Sequence, residues 1–261
     1  MQIEFGGKVA LVVGAAQGIG FAAASELRNS GAKVAVADIN GAAAIAAADR
    51  LSGGEGETLG VQADISALDS VEAMIAEVTE KLGPPDIVVI SAAVLDDKLF
   101  MESGPKDWER LINVCLYGPM NVLHSVLPGM TERGFGRIIC MASDSARVGQ
   151  ARLSYYAAAK GGVIALVKSV AQEVGSSGVT LNVVSPGATD TELRQAREAQ
   201  TKETIGEDRY AARVRKVLRM YPAGRIGQPQ DHASMIAYLA SDHASWVTGQ
   251  VISVNGGFVM P

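Results

Sequence analysis

Seven short apolar runs, each rich in β-branched residues, alternate with longer helical patterns along the 261-residue chain. The runs cover residues 8–13, 34–37, 58–62, 86–90, 137–141, 180–184 and 251–254. Helical patterns fill 18–29, 41–51, 66–81, 108–133, 154–174 and 231–240, and 41–51 is nearly all alanine, the best intrinsic helix former. Strands buried on both faces read as continuous apolar runs, and the intervening helices supply the covers. The pattern predicts an α/β fold, a parallel sheet of about seven strands with helices on both faces. No repeat or linker interrupts it, so residues 1–261 are read as one domain. At 48% hydrophobic residues, the chain has ample material for a single core.

A net charge of −5 gives no support for binding nucleic acid or a membrane surface. No apolar stretch reaches the ~18 residues needed to span a bilayer. The opening Met-Gln-Ile-Glu-Phe lacks the basic and apolar segments of a signal peptide, so a cytoplasmic location is expected. Cys115 and Cys140 are too few for a disulfide framework and lie in apolar surroundings, as buried thiols do. His124, His232 and His243 have no ligand-like spacing, so no metal site is expected.

One segment breaks the rhythm. Residues 189–221 carry eight Lys or Arg and six Asp or Glu. Most of these fit a solvated helical face. The segment nevertheless follows the carboxyl end of a strand, where α/β sheets bind ligands, and a small helical lid over a substrate is expected there.

Three clusters carry chemistry. Gly14-Ala-Ala-Gln-Gly18-Ile-Gly20 joins the first strand to the first helix, where glycines allow a tight turn and backbone N–H groups can approach a pyrophosphate. Asp38 ends the second strand, twenty-four residues after Gly14; it can accept from an adenosine ribose and would repel a 2′-phosphate. No Lys or Arg occupies Ala15, Ala16, Ile39 or Asn40, which favours NAD over NADP. A helix-capping role is the plain alternative for this aspartate. The third cluster is Tyr156 and Lys160, one helical turn apart, with Ser143 upstream. A phenol of pKa about 10 needs roughly 4 kcal/mol to act as a base at pH 7, and an ammonium about 4 Å away supplies energy of that order. Alone, the pair also fits an ordinary amphipathic helix. Tyr155 has Ala159 at i+4, so Tyr156 is the candidate.

Taken together, these residues resemble the short-chain dehydrogenase/reductase family over essentially the whole chain. Gly14, Gly18 and Gly20 match its cofactor turn, and Asp64 matches the acidic residue beside the adenine. Asn113, Ser143, Tyr156 and Lys160 match the four catalytic positions. Pro186, Gly187 and Thr191 resemble the nicotinamide-side loop; Arg225 to Asp231 and Thr248 to Gly257 resemble the C-terminal signatures. The resemblance implies a Rossmann-like, doubly wound fold, and it places Gln17, Ile19, Ile39, Ile65, Ala92, Thr189, Tyr156 and Lys160 in the cofactor set. It implies hydride transfer between NAD and a secondary alcohol or ketone, with Tyr156 moving the proton and Ser143 orienting the substrate oxygen. Lys160 would lower the tyrosine pKa and bind the nicotinamide ribose, and Asn113 would hold a water leading to solvent. A small-molecule substrate and a homotetramer are implied, with 108–133 and 154–174 in one interface.

The match is not complete. Ile90-Ser91-Ala92-Ala93 stands where the family has Asn-Asn-Ala-Gly, and Val13 replaces a common threonine. Within the family, Ala142 to Gly149, Tyr156 to Gly162 and Pro186 to Thr191 look most like 2-hydroxycyclohexanecarboxyl-CoA dehydrogenases, and Arg194, Arg197 and Arg213 are then candidates for CoA phosphates. 3-Oxoacyl-carrier-protein reductase is a neighbour that generally prefers NADPH, against which Asp38 argues. A non-catalytic NAD-binding scaffold is the reading from another class, and the intact Asn, Ser, Tyr and Lys set opposes it.

Overall fold

The computed structural model describes residues 2–52 and 57–260. Among them, seven parallel strands form one sheet: β1 (Val9–Val13), β2 (Lys33–Asp38), β3 (Thr58–Gln62), β4 (Ile87–Ile90), β5 (Gly136–Met141), β6 (Val179–Pro186) and β7 (Val251–Val254). Their order in space is β3-β2-β1-β4-β5-β6-β7. The order reverses between β1 and β4, and the carboxyl ends of those strands open a crevice where such sheets take ligands. Register keeps these ends level, because Val13 pairs with both Ala37 and Ile90. Gly14, Asp38 and Ser91 therefore leave the sheet side by side.

Alternate side chains of each strand serve opposite faces. Val9, Leu11 and Val13 join one core, covered by α3 (Leu68–Lys81), α5 (Gly118–Arg133) and α7 (Ser154–Val174). Ala10 and Val12 join the other, under α1 (Gly18–Asn29), α2 (Gly41–Leu51) and α10 (Pro229–Ala240). Gly60 of β3 lets α2 lie close: a Cβ there would stand 2.4 Å from the Cα of Ile45.

Two helical segments differ from the periodicity. The expected helix over 108–133 is α4 (Pro105–Ile112), a wide π turn over Asn113–Tyr117, and α5. In that turn the Gly118 N–H reaches back five residues to the Asn113 carbonyl. Such wide turns add a residue without breaking the polar pattern, and they gather at functional sites. The charged segment folds as α8 (Glu192–Ile205) and α9 (Glu207–Leu218), joined at Gly206. A short α6 (Ser145–Val148) follows β5. Among the described residues, no helix is long and apolar enough to cross a membrane, and no group of three or more His, Cys, Asp or Glu could hold a metal ion.

Candidate active site

A cavity of about 500 Å³ opens above the carboxyl ends of the strands and runs from the Gly14 turn to α8 and α9. Its floor is the turn before α1. Gly14 has φ +72, and a Cβ there would fall 2.4 Å from the Ala92 Cα. A Cβ on Gly20 would fall 2.2 Å from the Gly14 carbonyl oxygen. Helix and strand thus meet backbone to backbone. Gln17, the N-cap of α1, makes no capping hydrogen bond through its side chain, so the first-turn amides lack a side-chain acceptor. The end of a helix in this state suits an anionic phosphate.

Asp38 stands at one end of the cavity. Its Oδ2 accepts from the Ala16 N–H at 3.3 Å and its Oδ1 from the Asn40 N–H at 3.1 Å. Capping of α2 falls to Asn40, whose side chain accepts from the Ala43 N–H, so Asp38 is not the helix cap. Ile39, Asp64 and Ile65 line the same end. Asp64 Oδ1 accepts from both the N–H and the hydroxyl of Ser66, which fixes the carboxylate. The donor and acceptor set at this end fits an adenosine dinucleotide: uncapped amides for the pyrophosphate and a carboxylate for a ribose.

At the other end, β5 delivers Ser143 and α7 delivers Tyr156 and Lys160. Ser143 Oγ accepts from the Ser145 hydroxyl at 2.9 Å, which leaves its own hydrogen free to donate into the cavity. Lys160 is 2% exposed and donates from Nζ to the Met141 carbonyl at 2.8 Å. Its Nζ lies 5.9 Å from the centroid of the Tyr156 ring. Tyr155 points elsewhere, its hydroxyl bonding Asp96 at 3.1 Å while burial pushes its phenol up to about 12.

In the chain alone, the surroundings of Tyr156 act in the opposite direction to Lys160. Burial pushes its phenol well above the ordinary value, the Cys115 thiol adds to this, and Ser143 and Arg197 pull it down less strongly. Lys160 is itself pushed below the usual amine range by burial. Its ammonium donates to the Met141 carbonyl. The chain's own groups therefore hold Tyr156 as a proton donor at neutral pH.

Ala92, Pro186, Gly187, Thr189 and Thr191 complete the wall between the two ends, together with Gln17, Gly18 and Ile19. Thr191 also caps α8 by accepting from the Arg194 N–H. Asn113 is the exception among the candidates: Val114 of the wide turn, not Asn113, lines the cavity.

Some residues at the site were not singled out from the sequence. Asp144, 1% exposed, accepts from the Ser185 hydroxyl at 2.7 Å, from Ser253 at 3.3 Å and from Asn255 Nδ2 at 2.5 Å. It ties the loop after Ser143 to β6 and β7. Those partners lie 41 to 111 residues away, beyond any local pattern. His232, buried on α10, bonds Thr189 Oγ1 at 2.7 Å. That hydroxyl donates to the Gly187 carbonyl, so the imidazole must be the donor to it, through Nε2–H.

Burial lowers the His232 pKa from 6.5 to about 4, against a weaker upward pull from Asp231. The unfolded chain then binds the extra proton between these two values, so folding stability falls as pH drops from 6.5 towards 4. The expected loss is about 2 kcal/mol between pH 7 and pH 5. Chemical denaturation at the two pH values should show this loss diminished in His232→Gln; equal losses in both proteins would refute the burial argument.

Comparison with known proteins gives a consistent picture. A family model described as Enoyl-(Acyl carrier protein) reductase matches residues 14–259. A 3-oxoacyl-[acyl-carrier-protein] reductase FabG of Vibrio cholerae is 39% identical over 97% of this chain and 98% of its own. An acetoacetyl-CoA reductase of Allochromatium vinosum is 36% identical over 97% and 99%. A crystal structure described as ribose-5-phosphate isomerase from Brucella melitensis 16M superposes with a TM-score of 0.86 at 34% identity, covering 99% of this chain and 95% of that one.

Proposed function

Because the chain belongs to the short-chain dehydrogenase/reductase family, we propose that it is an NAD(H)-dependent ketoreductase or alcohol dehydrogenase acting on a 3-oxoacyl or ring-borne β-hydroxyacyl thioester. One observation carries this reading: the Gly14 turn and the Ser143, Tyr156 and Lys160 side chains line one continuous cavity. A bound nicotinamide supplies or accepts the hydride. Tyr156, kept protonated by burial, donates its proton to the ketone oxygen as the carbonyl is reduced. The Ser143 hydroxyl, its lone pair already engaged by Ser145, donates to the same oxygen and holds the developing charge. Lys160, fixed on the Met141 carbonyl, offers its remaining ammonium hydrogens to a ribose. The wide turn packs on α7, and Asn113 there is assigned to the proton path from Lys160 to solvent.

Preference for NAD rests on Asp38, since a 2′-phosphate beside this carboxylate would meet like charge with no Lys or Arg among the wall residues at that end. Asp38→Ser is expected to raise the KM for NADH about tenfold and to narrow the gap to NADPH, consistent with loss of a charged hydrogen bond. Equal use of both cofactors by the unaltered enzyme would reject the NAD reading. The named activity of the Brucella melitensis chain is an isomerisation, and the oxidoreductase reading is preferred because it also uses the uncapped α1 terminus and Asp38.

A further inference from the structure

Three arginines of α8 and α9, Arg194, Arg197 and Arg213, line the cavity that also holds Tyr156. Two of them are matched. Glu198, almost buried, lies 3.3 Å from Arg194 and 3.5 Å from Arg213. Arg197 is not matched in this way. Its nearest carboxylate is Asp97, at 3.9 Å from Nε, too far for a hydrogen bond. Asp97 is moreover engaged by Arg152, through its side chain and through its backbone carbonyl at 2.9 Å. The Nε of Arg197 is buried and has no hydrogen-bond partner in the chain. The remaining acid of this wall, Glu192, sits over Gly18 at the cofactor turn. The Arg197 side chain is a quarter exposed where it lines the cavity, and its terminal N–H groups can be offered to a ligand oxygen.

We infer that Arg197 receives the C1 oxygen of the substrate, two carbons from the carbonyl that Tyr156 protonates, and so selects 3-oxoacyl compounds over simple ketones. The inference rests on the ketoreductase reading above and names the residue that would recognise the oxygen beyond the reacting carbonyl. Arg197 lies close enough to Tyr156 for its charge to act on the phenol. Arg197 and Tyr156 line one cavity, so an oxygen held by Arg197 belongs to the same substrate as the carbonyl that Tyr156 protonates. Both a carboxylate and a thioester carbonyl offer the required acceptor, and a guanidinium serves either, the carboxylate with two parallel bonds.

The test compares three substrates: acetoacetate, the N-acetylcysteamine thioester of acetoacetate, and cyclohexanone, which lacks a C1 oxygen. Arg197→Gln is expected to lower the ratio of kcat/KM for the 3-oxoacyl substrates to that for cyclohexanone by roughly 10- to 100-fold, the effect of losing a charged hydrogen bond. Arg197→Lys should recover part of the ratio, and Arg209→Gln, on the outer face of α9, should leave it in place. A loss confined to acetoacetate assigns the carboxylate as the source; a loss on the thioester as well assigns the carbonyl, and either result supports the inference. A binding measurement stands beside the kinetics. Malonate, an unreactive compound with the same oxygen spacing, should raise the melting temperature of the unaltered protein but not of Arg197→Gln. An unchanged ratio together with an unchanged malonate response in Arg197→Gln overturns the inference. Reduction of none of the three substrates by the unaltered protein would instead count against the ketoreductase reading.

Discussion

Tyr156→Phe is expected to lower turnover by roughly 10²- to 10⁴-fold, the usual worth of a positioned proton donor, while NADH binding survives. The substitution removes one oxygen and leaves the ring in place on α7. The partners of Lys160 and Ser143, the Met141 carbonyl and the Ser145 hydroxyl, are untouched by it. Activity loss without loss of fold or cofactor is therefore the signature of a chemical role. Steady-state rates and NADH fluorescence titration check the two halves separately. Retention of more than a tenth of the activity would show that another group delivers the proton, and loss of NADH binding would show that the ring serves the cofactor instead. The scaffold reading would predict instead that the unaltered protein binds NADH and turns over nothing.

The second large effect is structural. Gly14→Ala places a Cβ 2.4 Å from the Ala92 Cα and 2.5 Å from its nitrogen, at a residue with φ +72. No rotamer change relieves a clash between two backbones. The left-handed conformation costs an alanine about 1–2 kcal/mol and overpacking a further 1–3 kcal/mol, so about 3 kcal/mol is expected in sum. For a chain of this size that corresponds to a fall in melting temperature of roughly 6–12 °C. Gly175→Ala, at φ −58 with open space around the new methyl, is the control and should be nearly neutral. Thermal unfolding of the two variants side by side gives the answer; equal melting temperatures would mean that the β1 and β4 ends can part without cost.

The sheet was legible because each strand is buried on both sides and leaves a continuous apolar run. The seven runs expected from the sequence correspond to the seven strands to within a residue or two at their ends. Helix breaks were less legible. The π turn at Asn113–Tyr117 changes the backbone hydrogen bonding but not the sequence of polar and apolar residues, so 108–133 read as one helix. Within the site, the glycine turn and Asp38 betrayed themselves by position after a strand. Asp144 did not, because its meaning lies in Ser185 and Asn255, which only the folded chain brings near. Nor did Arg197, one of eight cations in a segment where most face solvent. The environment of Tyr156 was not legible either. Spacing along a helix says that Lys160 is a neighbour, but it says nothing of the apolar surroundings of the ring or of the carbonyl that holds the ammonium.

One stretch, the paired helices α8 and α9, supplies the cavity wall from Glu192 to Val217. The hydride-handling half draws instead on the ends of β1, β2, β5 and β6 and on α7. An ancestral gene could therefore exchange its clientele by rewriting a single cassette, with the proton-moving apparatus inherited intact. Catalytic competence and chemical taste are, in this architecture, separately editable.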